Sequence, residues 1–87
     1  MRISVVIPSY NRKHTLERAL QSVFEQTSPV DEVILVDDGS TDGSSDMVRQ
    51  RFPQVTVINQ PNQGVSAARN RGIVAAQFEW IALLDSN

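Results

Sequence analysis

The side chains able to do chemistry in this 87-residue chain fall into four short polar clusters. They are Pro8-Ser9-Tyr10-Asn11, Asp37-Asp38-Gly39-Ser40, Asn59-Gln60-Pro61-Asn62-Gln63-Gly64 and Asp85-Ser86-Asn87. Two of the clusters carry carboxylates, and carboxylates gathered at one edge repel one another unless they serve a ligand. One carboxylate can accept a hydrogen bond from the ring N–H of a base. Others can hold a hard divalent cation through oxygen, and that cation can neutralise a diphosphate. Tyr10 adds an aromatic face against which a base can lie. A nucleotide diphosphate bound through a metal accounts for this combination, and it does not require a basic pocket.

Plainer readings compete with each of these. The stretch from Asp37 to Gly43 (DDGSTDG) also suits a turn followed by a helix N-cap, where such residues are favoured. A calcium-binding EF-hand loop fails: with Asp38 at position 1, position 12 is Arg49 instead of the bidentate glutamate. Tyr10 is either a base platform or a packed strand-end residue. His14 has no metal-spaced partner and reads as a solvated helix residue. Arg69 and Arg71 lie on an alanine-rich segment and would ordinarily be surface charges. No serine–histidine–aspartate arrangement stands out, and no glycine-rich phosphate loop follows the first apolar run, which sets aside a dinucleotide oxidoreductase.

The elements that must position these clusters are legible from periodicity. The apolar, β-branched runs from Ile3 to Pro8, Val33 to Val36, Val55 to Ile58 and Trp80 to Leu84 suit strands buried on both faces of a parallel sheet. Between the first two, Leu16, Ala19, Leu20, Val23 and Phe24 form an amphipathic helical stripe that stops before Pro29. A second, shorter helix is expected to start near Asp42 and to present Met47, Val48 and Phe52. A third is expected from Val65 to Ala76, its small residues allowing close approach to a sheet. The order is β-α-β-α-β-α-β, with crossovers long enough for parallel pairing and helices on both faces of an open sheet. By analogy with doubly wound folds, the expected strand order is 3-2-1-4. All four polar clusters then fall at the carboxyl ends of strands, the edge where open parallel sheets bind ligands.

Composition narrows the class further. A net charge of −2 with dispersed basic residues argues against a nucleic-acid surface. The chain has no cysteine, which removes disulfides, thiolate metal sites and a cysteine nucleophile, and which fits a cytoplasmic protein. No apolar run reaches the roughly 18–20 residues needed to span a bilayer. The first strand starts at once after Met1, so no signal peptide is expected. Attachment to the cytoplasmic face of a membrane through other regions stays open. The apolar run ending at Asp85-Ser86-Asn87 reads as an excised fragment of a longer domain.

Taken in order, four segments resemble the family-2 glycosyltransferases of the GT-A fold: Ser4 to Asn11 (SVVIPSYN), Glu32 to Asp42 (EVILVDDGSTD), Asn62 to Gly72 (NQGVSAARNRG) and Leu83 to Asn87 (LLDSN). The resemblance spans essentially the whole chain and implies a Rossmann-like half of a GT-A domain, residues 1–87 forming its N-terminal nucleotide-sugar-binding part. It implies transfer of a sugar from a UDP-sugar donor with inversion, aided by Mg2+ or Mn2+. Position by position, it implies that Pro8 and Tyr10 border the base and that Asp38 accepts from the uracil ring N–H, with Asp37 as its neighbour. Gly64 and Arg69 match positions that close over the base and approach the phosphates. Asp85 matches the first acid of the D-x-D motif, which contacts ribose and metal. Asn87 stands where the family commonly has the more direct metal-ligating aspartate, so an uncharged amide oxygen replaces a carboxylate. The family's general base and acceptor pocket belong to the second half of the domain, so no catalytic residue is expected here. The alternative is a non-catalytic fragment or degenerate homologue acting as an interaction module. The final strand is expected to be an unprotected edge through which two copies pair.

Overall fold

A computed structural model describes residues 2–26 and 30–84 of the chain. Four strands, β1 (Ile3–Ser9), β2 (Glu32–Asp37), β3 (Thr56–Asn59) and β4 (Trp80–Leu83), alternate with three helices, α1 (Lys13–Glu25), α2 (Ser44–Arg51) and α3 (Val65–Ala75). The strands form one sheet in the order β3-β2-β1-β4, and every pairing is parallel. This is the expected α/β architecture and the expected strand order. Strand order therefore reverses between β1 and β4. No helix among the described residues is long and apolar enough to cross a membrane.

The period-2 alternation of β1 and β2 sends their side chains to two separate cores. Val5, Ile7, Val33 and Leu35 meet Leu16, Leu20 and Val23 of α1 and Met47 and Val48 of α2 on one face. On the other, Ile34 and Val36 meet Ala68 of α3. Phe24 and Phe52 stack with ring centroids 5.9 Å apart beside the larger core. The third helix lies very close to the sheet, and Gly72 is the reason. A Cβ built on it would stand 2.3 Å from Val6 Cγ1 and 3.2 Å from Val36 Cγ2, so hydrogen is the only substituent that fits.

The expectation that all four strands are buried on both faces holds for the two central strands only. Every residue of β4 is exposed, and β3 is exposed at both its ends. Both strands lie at the ends of the described sheet, and a run of apolar residues encodes strand formation without encoding what covers it. The second helix begins at Ser44, two residues later than expected, because Asp42 accepts hydrogen bonds from Lys13 N and Ser44 N (both 3.1 Å) and so belongs to the preceding loop.

Candidate nucleotide site

Parallel register aligns the strand ends that the sequence marked. Ser9 pairs with Asp37, and Asp37 with Asn59, so three polar residues lie side by side where the sheet stops. Two loops then knit the edge together. Asn11 N donates to Ser40 Oγ, and Thr41 N donates back to Asn11 Oδ1, each at 2.8 Å. Asn11 holds a φ of 50°, a left-handed conformation that asparagine tolerates better than most residues. Asn11 and Ser40 were not singled out for this role by sequence; the hydrogen-bonding preference of asparagine in turns is the only signal they carry.

The adjacent aspartates have different tasks, because neighbouring residues at a strand end face opposite sides. Asp37 points towards α2. Its Oδ1 accepts from Ser40 N at 2.8 Å and its Oδ2 from Ser45 Oγ at 2.5 Å. Ser45 Oγ also lies 2.6 Å from Asn59 Oδ1. A hydroxyl has one proton, so with that proton on Asp37 the Asn59 amide satisfies Ser45 best when turned to donate. Asp37 thus serves the turn and the Ser45 hydroxyl of α2, in keeping with the turn part of that reading, while the residue that precedes α2 is Gly43, which offers no side-chain cap.

Asp38 points the other way and is 4% exposed. Its carboxylate accepts from Gln60 Nε2 (2.8 Å), Gln63 N (2.8 Å) and Gly64 N (2.9 Å). Burial raises its pKa, but the bonds from Gln60, Gln63 and Gly64 together outweigh that, and the carboxyl lies below the ordinary aspartate range. Gly64 adopts a φ of 101°, which permits its N–H to face Asp38 while its carbonyl accepts from Ala68 N (3.1 Å) to open α3. A single buried charge therefore fixes the loop that delivers the third helix.

The remaining expected residues divide into two groups. Pro8 and Arg69 come together with Leu83 and Leu84 around a recess of about 130 Å³. This recess lies between the ends of β1 and β4, at the point where strand order reverses, which is the usual ligand crevice of such sheets. Tyr10, just beyond β1, is 47% exposed and has its ring available to a ligand. Asp85 and Asn87, the expected metal ligands, lie outside the described residues. Among the described residues no three histidine, aspartate or glutamate side chains gather into a metal cage. Asp37 and Asp38 both accept hydrogen bonds from protein donors here.

Comparison with known proteins gives this geometry a context. The model of Glycosyl transferase family 2 matches residues 4–86. An uncharacterized glycosyltransferase of Nostoc sp. is 44% identical across 100% of this chain, which spans 28% of that protein. Among solved structures, S. aureus TarS 1-349 in complex with UDP-GlcNAc superposes with a TM-score of 0.85 at 29% identity, over 99% of this chain and 26% of that one. A Pyrobaculum calidifontis mannosyltransferase in complex with GDP-Man and Mn2+ gives a TM-score of 0.84 at 30% identity, over 98% of this chain and 27% of that one.

Proposed function

This chain belongs to glycosyl transferase family 2, a family of enzymes, and we propose that its residues 1–87 form the donor-nucleotide half of an inverting, UDP-sugar-dependent GT-A transferase. The observation that carries this reading is the buried Asp38 carboxylate at the carboxyl edge of the sheet, held by Gln60, Gln63 and Gly64. A carboxylate held ionised there accepts from a base that presents a ring N–H. Tyr10 lies against the base, Pro8 borders it, and Gly64, at the N-cap of α3, and Arg69, within α3, close over the base and approach the phosphates. Asp85 with Asn87 would hold Mn2+ or Mg2+, which would supply Lewis-acid stabilisation to the departing diphosphate. The Mn2+ bound by the mannosyltransferase supports a divalent metal, and the intact Asp38 cluster does not favour a degenerate interaction module.

Calorimetric titration of the folded chain with UDP should show binding in Mn2+ that weakens when the metal is chelated. An intact fold with no affinity for UDP in either condition would overturn the proposal. No residue of this chain is assigned as the general base, and the chain by itself is expected to transfer no sugar. The acceptor is likewise selected outside these residues.

The exposed β4 edge supports a further proposal about partners. Trp80 (56% exposed), Ile81 (37%) and Leu83 (52%) leave an apolar strand edge open, and open edges template pairing between chains. In isolation the chain is expected to dimerise through β4, and Leu83→Lys is expected to return it to a monomer. Light scattering that shows a monodisperse monomer of the unaltered chain at high concentration would count against this.

A further inference from the structure

The three donors on Asp38 are shared unequally between its oxygens. Gln60 Nε2 and Gln63 N both donate to Oδ1, whereas Gly64 N alone donates to Oδ2. An ionised carboxylate offers about four acceptor sites, two on each oxygen. Oδ1 is therefore full, and Oδ2 retains one site. Two of the donors are backbone amides, which every residue type except proline supplies. Gln60 is the one side chain among them. It is 6% exposed, and its own N–H is fixed on Asp37 O at 3.0 Å.

We propose that Gln60 sets the nucleobase preference of this site, by filling Asp38 Oδ1 so that the carboxylate can take one ring N–H but not two parallel ones. The inference rests on the donor-site reading above and adds a specificity-determining residue to it. Bases differ in the edge they offer a carboxylate. Uracil and thymine present a single N–H, at N3, between two carbonyls. Guanine presents N1–H and an N2–H side by side, and that pair engages a carboxylate only if each oxygen has a vacant site. Cytosine and adenine present a ring-nitrogen acceptor, which an ionised carboxylate repels. With Oδ1 occupied, the ligand class that fits is a nucleoside diphosphate whose base has one isolated ring donor. Related structures hold a uridine and a guanosine nucleotide respectively, so family membership leaves the base open and these atoms decide it.

Gln60 acts here as a positioning residue, and the ratio of two affinities separates that role from a merely structural one. The 87-residue chain and its Gln60→Met variant, which keeps side-chain length but removes the donor, are titrated calorimetrically with UDP, GDP and CDP in Mn2+. The unaltered chain is expected to bind UDP at least about tenfold more tightly than GDP, the order of one well-made base contact, and CDP more weakly than either. Gln60→Met frees a site on Oδ1 and is expected to cut the UDP-to-GDP ratio to about threefold or less, chiefly through a gain for GDP. A residue that only supported the loop would weaken both nucleotides alike and leave the ratio unchanged. The inference is overturned if the unaltered chain binds GDP as tightly as UDP, or if a folded Gln60→Met keeps the original ratio. Should that variant fail to fold, the ratio in the unaltered chain decides. Failure of all three nucleotides to bind is a distinguishable outcome: it overturns the donor-site reading and this inference with it.

Discussion

Replacing Gly72 with alanine is expected to destabilise the domain, although the same change in an exposed helix interior would stabilise it. Alanine is favoured over glycine in a helix by ~1 kcal/mol, through backbone entropy. At this position the added methyl would stand 2.3 Å from Val6 Cγ1, well inside van der Waals contact. Val6 and Val36 are both fully buried, on the two central strands that pair with each other, and a β-branched side chain has little rotamer freedom with which to give way. The helix must therefore lift from the sheet, and overpacking of this kind costs about 1–3 kcal/mol. The net of these is a loss of up to about 2 kcal/mol in urea unfolding, with the upper part of that range expected for so short an approach, and Gly72→Val should prevent folding. Shaving the obstacle provides an internal control. Val6→Ala alone opens a cavity, but combined with Gly72→Ala the two costs should fall short of additive, since each relieves the other. An alanine variant as stable as the unaltered chain would mean that α3 does not sit where its contacts with Val6 and Val36 put it. The consequence reaches the site, because α3 carries Arg69 to the recess beside Pro8.

This close approach was legible in outline. An alanine-rich segment interrupted by glycine announces a helix able to lie near a sheet, and Ala68 and Gly72 are indeed the two buried residues of α3. Strand identity and parallel pairing followed from four apolar runs separated by helix-length crossovers, whereas the strand order came from analogy with doubly wound folds and not from the pattern. Coverage was not legible, because Trp80, Ile81 and Leu83 have the composition of a core strand and yet are exposed. An apolar run reports a preference for leaving water and is silent about which surface receives it. At the site, sequence located the edge and the residue types. It could not apportion the two aspartates, since that depends on which face each takes after β2. Nor could it single out Gln60, whose importance comes from a loop that folds back over Asp38 from 22 residues further along the chain. Glutamine carries no local signal of such a contact, and Gln60-Pro61-Asn62 reads as turn chemistry alone.

The second large effect is expected from Asp38→Asn, a change of one atom that removes a charge. Three donors converge on the carboxylate, and an amide can present them with only one oxygen. Its NH2 group must then face either Gly64 N–H or the pair from Gln60 and Gln63. At least one donor in a largely buried setting loses its partner, at a cost of about 1–3 kcal/mol. The loop from Gln60 to Gly64 loosens, and UDP binding is expected to fall by at least about tenfold, as both the charged acceptor and the loop geometry are lost. The dependence on pH distinguishes this mechanism from generic damage. The folded-state pKa of Asp38 is lowered: burial opposes ionisation, but the hydrogen bonds from Gln60, Gln63 and Gly64 overcome it. A group whose pKa falls on folding contributes stability that is fully present above its unfolded value, about 3.9 for aspartate, and is lost as pH drops through the folded value. Urea unfolding at pH 7 should therefore show the full gap between the unaltered chain and Asp38→Asn, and the gap should narrow at pH 3 and below. Some acid sensitivity should persist in the variant. Asp42 is lowered too, its burial outweighed by hydrogen bonds from Ser44 and from the backbone of Lys13, and it titrates in the same direction. A gap of equal size at both pH values would mean that the carboxylate's charge is not what holds the loop. The Asp38 cluster would then be packing alone, and the argument that this edge is built to present an ionised acceptor to a base would lose its physical footing.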